Sequence, residues 1–251
     1  MRLYSNKWYL KAVILALVLL TSITGIAFAQ SDEKIDYVAL GDSLSVGYTP
    51  YSSIDKSYTD FIAMKLDGEG ILGDYHNFGV IRYTTDDVLA SIDYTNPQNA
   101  ESILAISNAE IITLDIGAND ILDLIPALMA DPTQAPDVIQ SIAENLAEII
   151  LTLKGINPNA NIYLMGYYNA FPFYPEELQE QVIPLIKGLN LAINQVANAT
   201  GETYIDTYTI MDKHLTKYLP EDDIHPGLLG YKAMAKEFWN IIKVDFLRGI
   251  N

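Results

Sequence analysis

Short apolar runs alternate along the chain with longer segments in which apolar residues recur at helical spacing. The apolar runs predict strands at 35–40, 75–78, 109–116, 161–166 and 202–205. The segments with helical spacing predict helices at 58–66, 85–92, 97–107, 135–153, 175–199 and 228–247. A run such as Ile111-Ile112-Thr113-Leu114 does not alternate with polar residues, which is typical of a parallel strand covered on both faces. The pattern therefore predicts one three-layer α/β/α domain around a parallel sheet.

The first 29 residues have the layout of a secretory signal peptide. Three basic residues and no acidic ones open the segment, an apolar stretch follows, and Ala27-Phe28-Ala29 supplies small residues before the cleavage point. An uncleaved membrane anchor is the alternative. However, residues 12–29 include polar positions and fall short of the roughly 20 residues that a spanning helix needs. We therefore predict an exported protein whose folded domain covers residues 30–251.

The charge and the cysteine content exclude several classes of function. The 251 residues carry a formal net charge of −17 at pH 7, and so acidic a surface repels nucleic acid and anionic lipid headgroups. The chain has no cysteine and only three histidines, which are far apart in the sequence. A thiol nucleophile is thus excluded and a zinc site is not expected. We expect no metal and no other cofactor.

A serine stands directly behind the first predicted strand, in Gly41-Asp42-Ser43-Leu44. In open α/β sheets the functional side chains gather outside the carboxyl ends of the strands. A serine hydroxyl acts as a nucleophile only with a base within reach, and His225, before the last predicted helix, is the candidate. An imidazole is an effective base when a carboxylate holds its other nitrogen. The spacing favours Asp222 for that task, with Asp223 as the rival.

Asn119 follows the most apolar predicted strand. A side-chain amide at a strand end can donate to the oxyanion that forms during acyl transfer. The pair Asn119-Asp120 is equally typical of an ordinary turn, with Asp120 capping a helix over 121–130. Asp115, inside the same apolar run, is unusual, and we expect it to be hydrogen-bonded near the site.

Together these residues resemble the GDSL-type, or SGNH, hydrolase family from about residue 35 to the end of the chain. The matching motifs are Gly41-Asp42-Ser43-Leu44, Gly117-Ala118-Asn119-Asp120 and Asp222-Asp223-Ile224-His225-Pro226. The resemblance implies that Ser43 is the nucleophile, His225 the general base and Asp222 its orienting carboxylate, with Asn119 and the Ser43 N–H as oxyanion donors. It also implies a five-stranded parallel sheet in flavodoxin-like order, and hydrolysis of carboxylic esters or thioesters without a cofactor.

One motif departs from the family pattern. The family has Asn-x-Gly-x-x-Gly-x-Thr, whereas this chain has Asn77-Phe78-Gly79-Val80-Ile81-Arg82-Tyr83-Thr84. The resemblance implies that the second glycine gives its N–H to the oxyanion, so Arg82 stands at a donor position and Gly79 is a further candidate. A backbone conformation that only glycine adopts would not suit arginine. The long cationic side chain can also bind an anionic substrate group or fill the pocket.

The leading hypothesis is a secreted lipase- or lysophospholipase-like serine esterase that forms an acyl-enzyme on Ser43. Its substrate would be a small-molecule or lipid ester. The same residues would serve a polysaccharide O-acetyl esterase or acetyltransferase. Arg82 motivates a third hypothesis, a non-catalytic binding protein on a degenerate hydrolase scaffold.

Overall fold

A five-stranded sheet forms the centre of the protein, whose computed structural model describes residues 34–247. The strands are β1 (Ile35–Gly41), β2 (Leu72–Asn77), β3 (Ile111–Asp115), β4 (Asn161–Met165) and β5 (Thr203–Ile205). They stand in the order β2-β1-β3-β4-β5, and every neighbouring pair is parallel. The predicted α/β/α class and the flavodoxin-like order are thereby confirmed.

Helices connect the strands throughout the described part of the chain. In chain order they are α1 (Ser43–Val46), α2 (Tyr58–Gly68), α3 (Thr85–Ser91), α4 (Ala100–Asn108), α5 (Ala118–Leu122), α6 (Ile125–Ala130), α7 (Ala135–Ile156), α8 (Glu176–Thr200), α9 (Thr207–Asp212), α10 (Leu215–Tyr218) and α11 (Leu228–Leu247). Local signals fix several ends. Ser57 and Thr84 form capping boxes at the starts of α2 and α3, and Gly201, with φ +80°, ends α8.

The longer helices pack in two groups that form the helical layers. In one group α2 packs on α11, where the rings of Tyr58 and Phe238 stack with centroids 4.8 Å apart. In the other group α7 packs along α8 and also contacts α3 and α4. All five residues of β3 are buried, as its non-alternating apolar pattern predicts.

The sequence pattern missed the first half of β2 and most of the short helices. β2 begins at Leu72, three residues before the predicted start, because this edge strand opens with Gly73 and Asp74 instead of an apolar run. The predicted signal peptide, residues 1–29, lies outside the described residues. Among residues 34–247, no helix is both long and apolar enough to cross a bilayer.

Candidate active site

Ser43 lies in a sharp turn at the carboxyl end of β1. Gly41 ends the strand with φ +151°, and a Cβ at this position would collide with the Asp115 carboxylate, so glycine is required here. The Asp42 side chain accepts a hydrogen bond of 2.9 Å from the Leu44 N–H and caps α1. Ser43 is therefore the first residue of α1.

His225 meets Ser43 from the loop that precedes α11. The distance from Ser43 Oγ to His225 Nε2 is 3.0 Å, within the hydrogen-bond reach that a general base needs. Tyr48 packs edge-on against the imidazole, with ring centroids 4.8 Å apart. Tyr168 donates a hydrogen bond of 2.8 Å to the carbonyl of Ile224. Two aromatic side chains thus fix the ring and the loop that carries it.

The carboxylate beside the imidazole belongs to Asp223, which corrects the prediction of Asp222. Asp223 Oδ1 accepts hydrogen bonds from His225 Nδ1 at 2.6 Å and from the His225 backbone N–H at 2.8 Å. The second bond closes the turn that an aspartate forms with the residue two positions on, and this turn brings the carboxylate to the ring. The Asp222 side chain is exposed to solvent instead.

Asn119 borders the same cavity as Ser43, near the start of α5. Its Nδ2 donates a hydrogen bond of 2.8 Å to the carbonyl of Tyr83. An amide nitrogen carries two hydrogens, so the second remains for an oxyanion. The link also ties Asn119 to the turn that contains Arg82.

The sequence predicts that Asp120 caps a helix over 121–130, but the structure shows no such cap. α5 begins at Ala118, after Gly117 in a left-handed conformation with φ +115°. The Asp120 carboxylate instead accepts from the N–H and the hydroxyl of Thr85, at 3.1 and 2.6 Å. Since Thr85 is the first residue of α3, this contact links the starts of α3 and α5.

Arg82 retains a backbone conformation that favours glycine, with φ +70°. It is the third residue of a turn closed by the Tyr83 N–H, which donates to the Val80 carbonyl at 3.1 Å. A positive φ at the third position alone is the mark of a type II turn. Arg82 Nη2 forms an ion pair of 2.7 Å with Asp123 Oδ1. Within residues 34–247 the Arg82 N–H has no hydrogen-bond partner.

The structure does not bring Gly79, the further donor candidate, to the cavity. Its N–H already donates to Asn77 Oδ1 at 2.9 Å, and the residue does not border the cavity. A Cβ on Gly79 would collide with the Ser45 hydroxyl. The glycine therefore permits close packing of this segment against α1.

Buried hydrogen bonds support the turn beneath the nucleophile. Asp115, fully buried at the end of β3, accepts from the N–H groups of Asp42 and Ser45 at 3.3 and 3.2 Å and from the Tyr58 hydroxyl at 2.6 Å. Tyr167, behind β4, donates to Asp42 Oδ2 at 3.0 Å. Asp115 is thus hydrogen-bonded near the site, as the sequence analysis expects. The sequence gives no sign of the Tyr58 contact, because a tyrosine on an amphipathic helix is usually a simple core residue.

Burial raises the pKa of both carboxyl groups in this network. The pKa of Asp115 lies well above its usual range because the group is buried and faces the negative charge of Asp42. Burial also raises the pKa of Asp42, although the hydrogen bond from the Leu44 N–H opposes the shift. Burial therefore favours the protonated form of each group more in the folded protein than in the unfolded chain.

A cavity of about 590 Å³ opens at Ser43 and His225, within the usual size range of small-molecule sites. Asn119 and Arg82 also border it. Much of the remaining lining is apolar and comes from α5, α6, α8 and the segment after β4; we call it the apolar wall. It comprises Ile121, Leu122, Ile125, Pro126, Phe171, Val182, Ile186 and Leu189.

The groups around the cavity are those that acyl transfer to a serine requires. They comprise a hydroxyl, an imidazole with a carboxylate partner, and N–H donors for an oxyanion. Within residues 34–247, no cluster of three or more His, Asp or Glu side chains is placed to hold a metal ion.

The fold and the site together define an α/β/α enzyme of the ester-hydrolysing kind. The chain belongs to the GDSL-like lipase/acylhydrolase family, whose model matches residues 39–233. The resemblance drawn from the motifs is thereby confirmed.

Two related proteins align over most of the chain. An uncharacterized protein of Bacillus subtilis, YpmR, is 24% identical over 229 residues, which cover 87% of this chain and 85% of the relative. Lipase 2 of Streptomyces coelicolor is 23% identical over 278 residues, which cover 92% of this chain and 94% of the relative.

Solved structures share the fold at similarly low identity. The lipase Lip_vut3 from a goat rumen metagenome has a TM-score of 0.69 at 23% identity, covering 82% of this chain and 97% of its own. An acetylxylan esterase from Geobacillus stearothermophilus has a TM-score of 0.61 at 16% identity, covering 84% of this chain and 94% of its own.

Proposed function

We propose that the protein is a secreted serine esterase, lipase- or lysophospholipase-like, that cleaves carboxylic esters through an acyl-enzyme on Ser43. The observation that carries the proposal is the 3.0 Å contact between Ser43 Oγ and His225 Nε2 at the edge of the cavity. A serine with no such base nearby would be a weak nucleophile. Membership of an ester-hydrolysing family points the same way.

Hydrolysis proceeds in two steps at this site. Ser43 Oγ attacks the ester carbonyl carbon while His225 Nε2 takes the hydroxyl proton, and the Asp223 carboxylate stabilises the imidazolium. The tetrahedral intermediate then collapses, and the alcohol leaves with the proton from His225. The same imidazole deprotonates a water molecule that attacks the acyl-enzyme, which releases the carboxylic acid and restores the Ser43 hydroxyl.

Three N–H groups are candidates to bind the oxyanion of the tetrahedral intermediate that forms in each of the two steps. The Ser43 N–H opens a helix, where no intrahelical acceptor exists for it, and the Arg82 N–H is free of protein partners within residues 34–247. Asn119 Nδ2 supplies the third, with one hydrogen already committed to Tyr83. Losing one such donor lowers kcat by roughly 10²–10³.

The apolar wall favours a fatty acyl chain over an acetyl group. An acetyl group would fill only a small part of a cavity of about 590 Å³, whereas each further methylene buried against the wall adds about 0.8 kcal/mol of binding. Lipase 2 and the rumen lipase carry names that agree with this preference.

The second candidate is a polysaccharide O-acetyl esterase, or an acetyltransferase in which a sugar hydroxyl replaces water. It is favoured by the structural likeness to the acetylxylan esterase. That enzyme has catalytic mutants at a serine, at a histidine and at an aspartate three positions before the histidine. The chemistry at Ser43 would be the same, so a panel of substrates distinguishes the two candidates.

A fluorophosphonate probe and p-nitrophenyl esters test the proposal. The probe is expected to label the wild type at Ser43, as mapped by peptide mass spectrometry, and Ser43→Ala is expected to lose both labelling and ester turnover. Ser107→Ala, an exposed serine on α4, is the control and should keep both. A protein that stays unlabelled and inactive would favour the non-catalytic binding protein.

Export is tested on the full chain expressed in a bacterial host. The mass of the purified protein distinguishes a product that begins at Gln30 from one that keeps its leader. A membrane-bound product of full mass would contradict secretion without bearing on the chemistry at Ser43.

A further inference from the structure

The turn from Val80 to Tyr83 holds an arginine where a type II turn prefers glycine. Left-handed backbone costs a residue with a Cβ free energy that glycine does not pay. A type I turn accepts any residue at this position, with φ about −90° in place of about +80°. A type I turn would therefore be an unstrained alternative for Arg82, yet its φ is +70°.

The two turn types differ in the direction of one N–H. Going from type II to type I changes ψ of the second residue by roughly 150° and φ of the third by roughly 170°, which turns over the peptide group between them. In this chain that group joins Ile81 to Arg82. After this change, the Ile81 carbonyl would point in the direction in which the Arg82 N–H points in the left-handed turn.

One side-chain contact depends on the turn type. Arg82 Nη2 and Asp123 Oδ1 are 2.7 Å apart, and the direction of the Arg82 Cβ rotates with φ. A type I turn would therefore start the side chain in a different direction, whereas the observed pair is formed from the left-handed conformation. The ion pair accordingly stabilises the left-handed conformation and not its alternative.

Hydrogen bonds to α5 already fix the residues that follow the centre of the turn. Asn119 Nδ2 donates to the Tyr83 carbonyl, and Thr85 donates to Asp120. These contacts hold the C-terminal end of the turn against α5, and the Val80 N–H donates to the Gly41 carbonyl at the other end, but none of these bonds involves the central peptide. Among these links between the turn and α5, only the ion pair to Asp123 involves the left-handed residue itself.

We propose that the Arg82–Asp123 ion pair keeps the turn in its left-handed form, with the Arg82 N–H directed at the oxyanion of an ester bound at Ser43. Asp123 is then a positioning residue that replaces the conformational freedom of the missing glycine. The inference rests on the proposed acyl transfer at Ser43. It assigns to the ion pair an effect on kcat rather than on substrate binding.

A double-mutant cycle on p-nitrophenyl butyrate tests the proposal. Asp123→Asn is expected to lower kcat about threefold to fivefold, the most that an exposed ion pair can contribute, with KM within about twofold of the wild type. In an Arg82→Gly background the same Asp123→Asn change should alter kcat by less than about twofold, because glycine holds the left-handed turn unaided. Asp123→Glu should restore part of the lost kcat.

Salt gives a second readout that a purely structural role would not produce. Raising the salt from about 0.1 M to about 1 M shortens the Debye length from about 10 Å to about 3 Å and weakens this exposed pair, whose side chains are 71% and 55% exposed. The kcat of the wild type should fall and that of Arg82→Gly should not. Glu180→Gln removes the same charge from an exposed site on α8 and serves as the control.

An Asp123→Asn effect of equal size in both backgrounds, or none in either, would overturn the proposal. Labelling of Ser43 by the fluorophosphonate probe separates this failure from that of the proposed function. A labelled, active enzyme whose kcat does not depend on Asp123 would refute only the role of the ion pair. An unlabelled protein would refute the proposed esterase activity.

Discussion

Asp223 and His225 are joined by two hydrogen bonds that share one acceptor atom. Asp223 Oδ1 accepts from both the backbone N–H and Nδ1 of His225. The carboxylate therefore fixes the ring and the peptide group behind it at the same time. Because an ionised carboxylate only accepts hydrogen bonds, this contact favours the tautomer with the proton on Nδ1, in which Nε2 faces Ser43 as an acceptor.

This contact predicts that Asp223 matters more for turnover than Asp222. Asp223→Ala should lower kcat by roughly 10³–10⁴, as expected when a base loses its orienting carboxylate, whereas Asp222→Ala should stay within about threefold of the wild type because its side chain is exposed. Steady-state kinetics on p-nitrophenyl butyrate measure both. The reverse ranking would mean that Asp222 takes over the ring contact.

Asn119 is predicted to act on the transition state and not on the bound ester. Asn119→Ala should lower kcat about 100-fold with KM within about threefold, because an oxyanion donor acts where negative charge develops. Asn145→Ala is the control, since Asn145 contacts Thr85 and Asp86 and does not border the cavity. A loss confined to KM would place Asn119 in substrate binding.

The apolar wall predicts a preference for longer acyl chains that a single substitution reverses. For the wild type, kcat/KM should rise from p-nitrophenyl acetate to the octanoate by about tenfold or more, given about 0.8 kcal/mol per buried methylene. Ile186→Trp should reduce octanoate turnover while sparing acetate, since the larger ring fills the cavity. Leu191→Trp, on the exposed face of the same helix, controls for the helix itself. A wild type that prefers acetate would favour the O-acetyl esterase.

The buried Asp42–Asp115 pair predicts a pH dependence of stability. Both pKa values are raised by burial in the folded state, so above a pH of about 4, the unfolded value, the folded state holds more protons than the unfolded one. The pair's contribution to the free energy of unfolding must then decrease as the pH rises towards the raised folded pKa values.

Asp115→Asn should weaken that pH dependence, because it removes one of the two coupled carboxyl groups. Thermal or urea unfolding between about pH 5 and about pH 8 compares the variant with the wild type, and the difference should shift in favour of the variant as the pH increases. Tyr58→Phe keeps both carboxyl groups and should retain the slope. Parallel curves for the wild type and Asp115→Asn would contradict the raised pKa of Asp115.

The fold was predictable because the hydrophobic periodicity of each segment agrees with its place in the alternation of strands and helices. β1, β3 and β4 appear as largely apolar runs, and Ser43 and Asn119 follow two of them, where parallel strands end at one edge. β2 was placed three residues late because an edge strand needs no continuous apolar face. The short helices are set by tertiary contacts and leave little periodicity to detect.

The choice between Asp222 and Asp223 shows what the sequence cannot specify. Two adjacent carboxylates have nearly equal distance from His225 along the chain, and the turn conformation decides which one reaches the ring. The left-handed Arg82 is a similar case, because its backbone is set by an ion pair with Asp123 and not by its own preference. Both depend on local geometry that residue types alone leave open.

The nucleophile and its base are separated by 182 positions in the chain. A ribosome that has completed β1, α1 and even the whole sheet has therefore produced a serine without a base. In the proposed mechanism, hydrolysis begins only after the loop before α11 has been synthesised and has docked, so ester turnover would report the completion of folding. A refolding assay that follows ester turnover thus times the last long-range closure, whereas helix content recovers earlier.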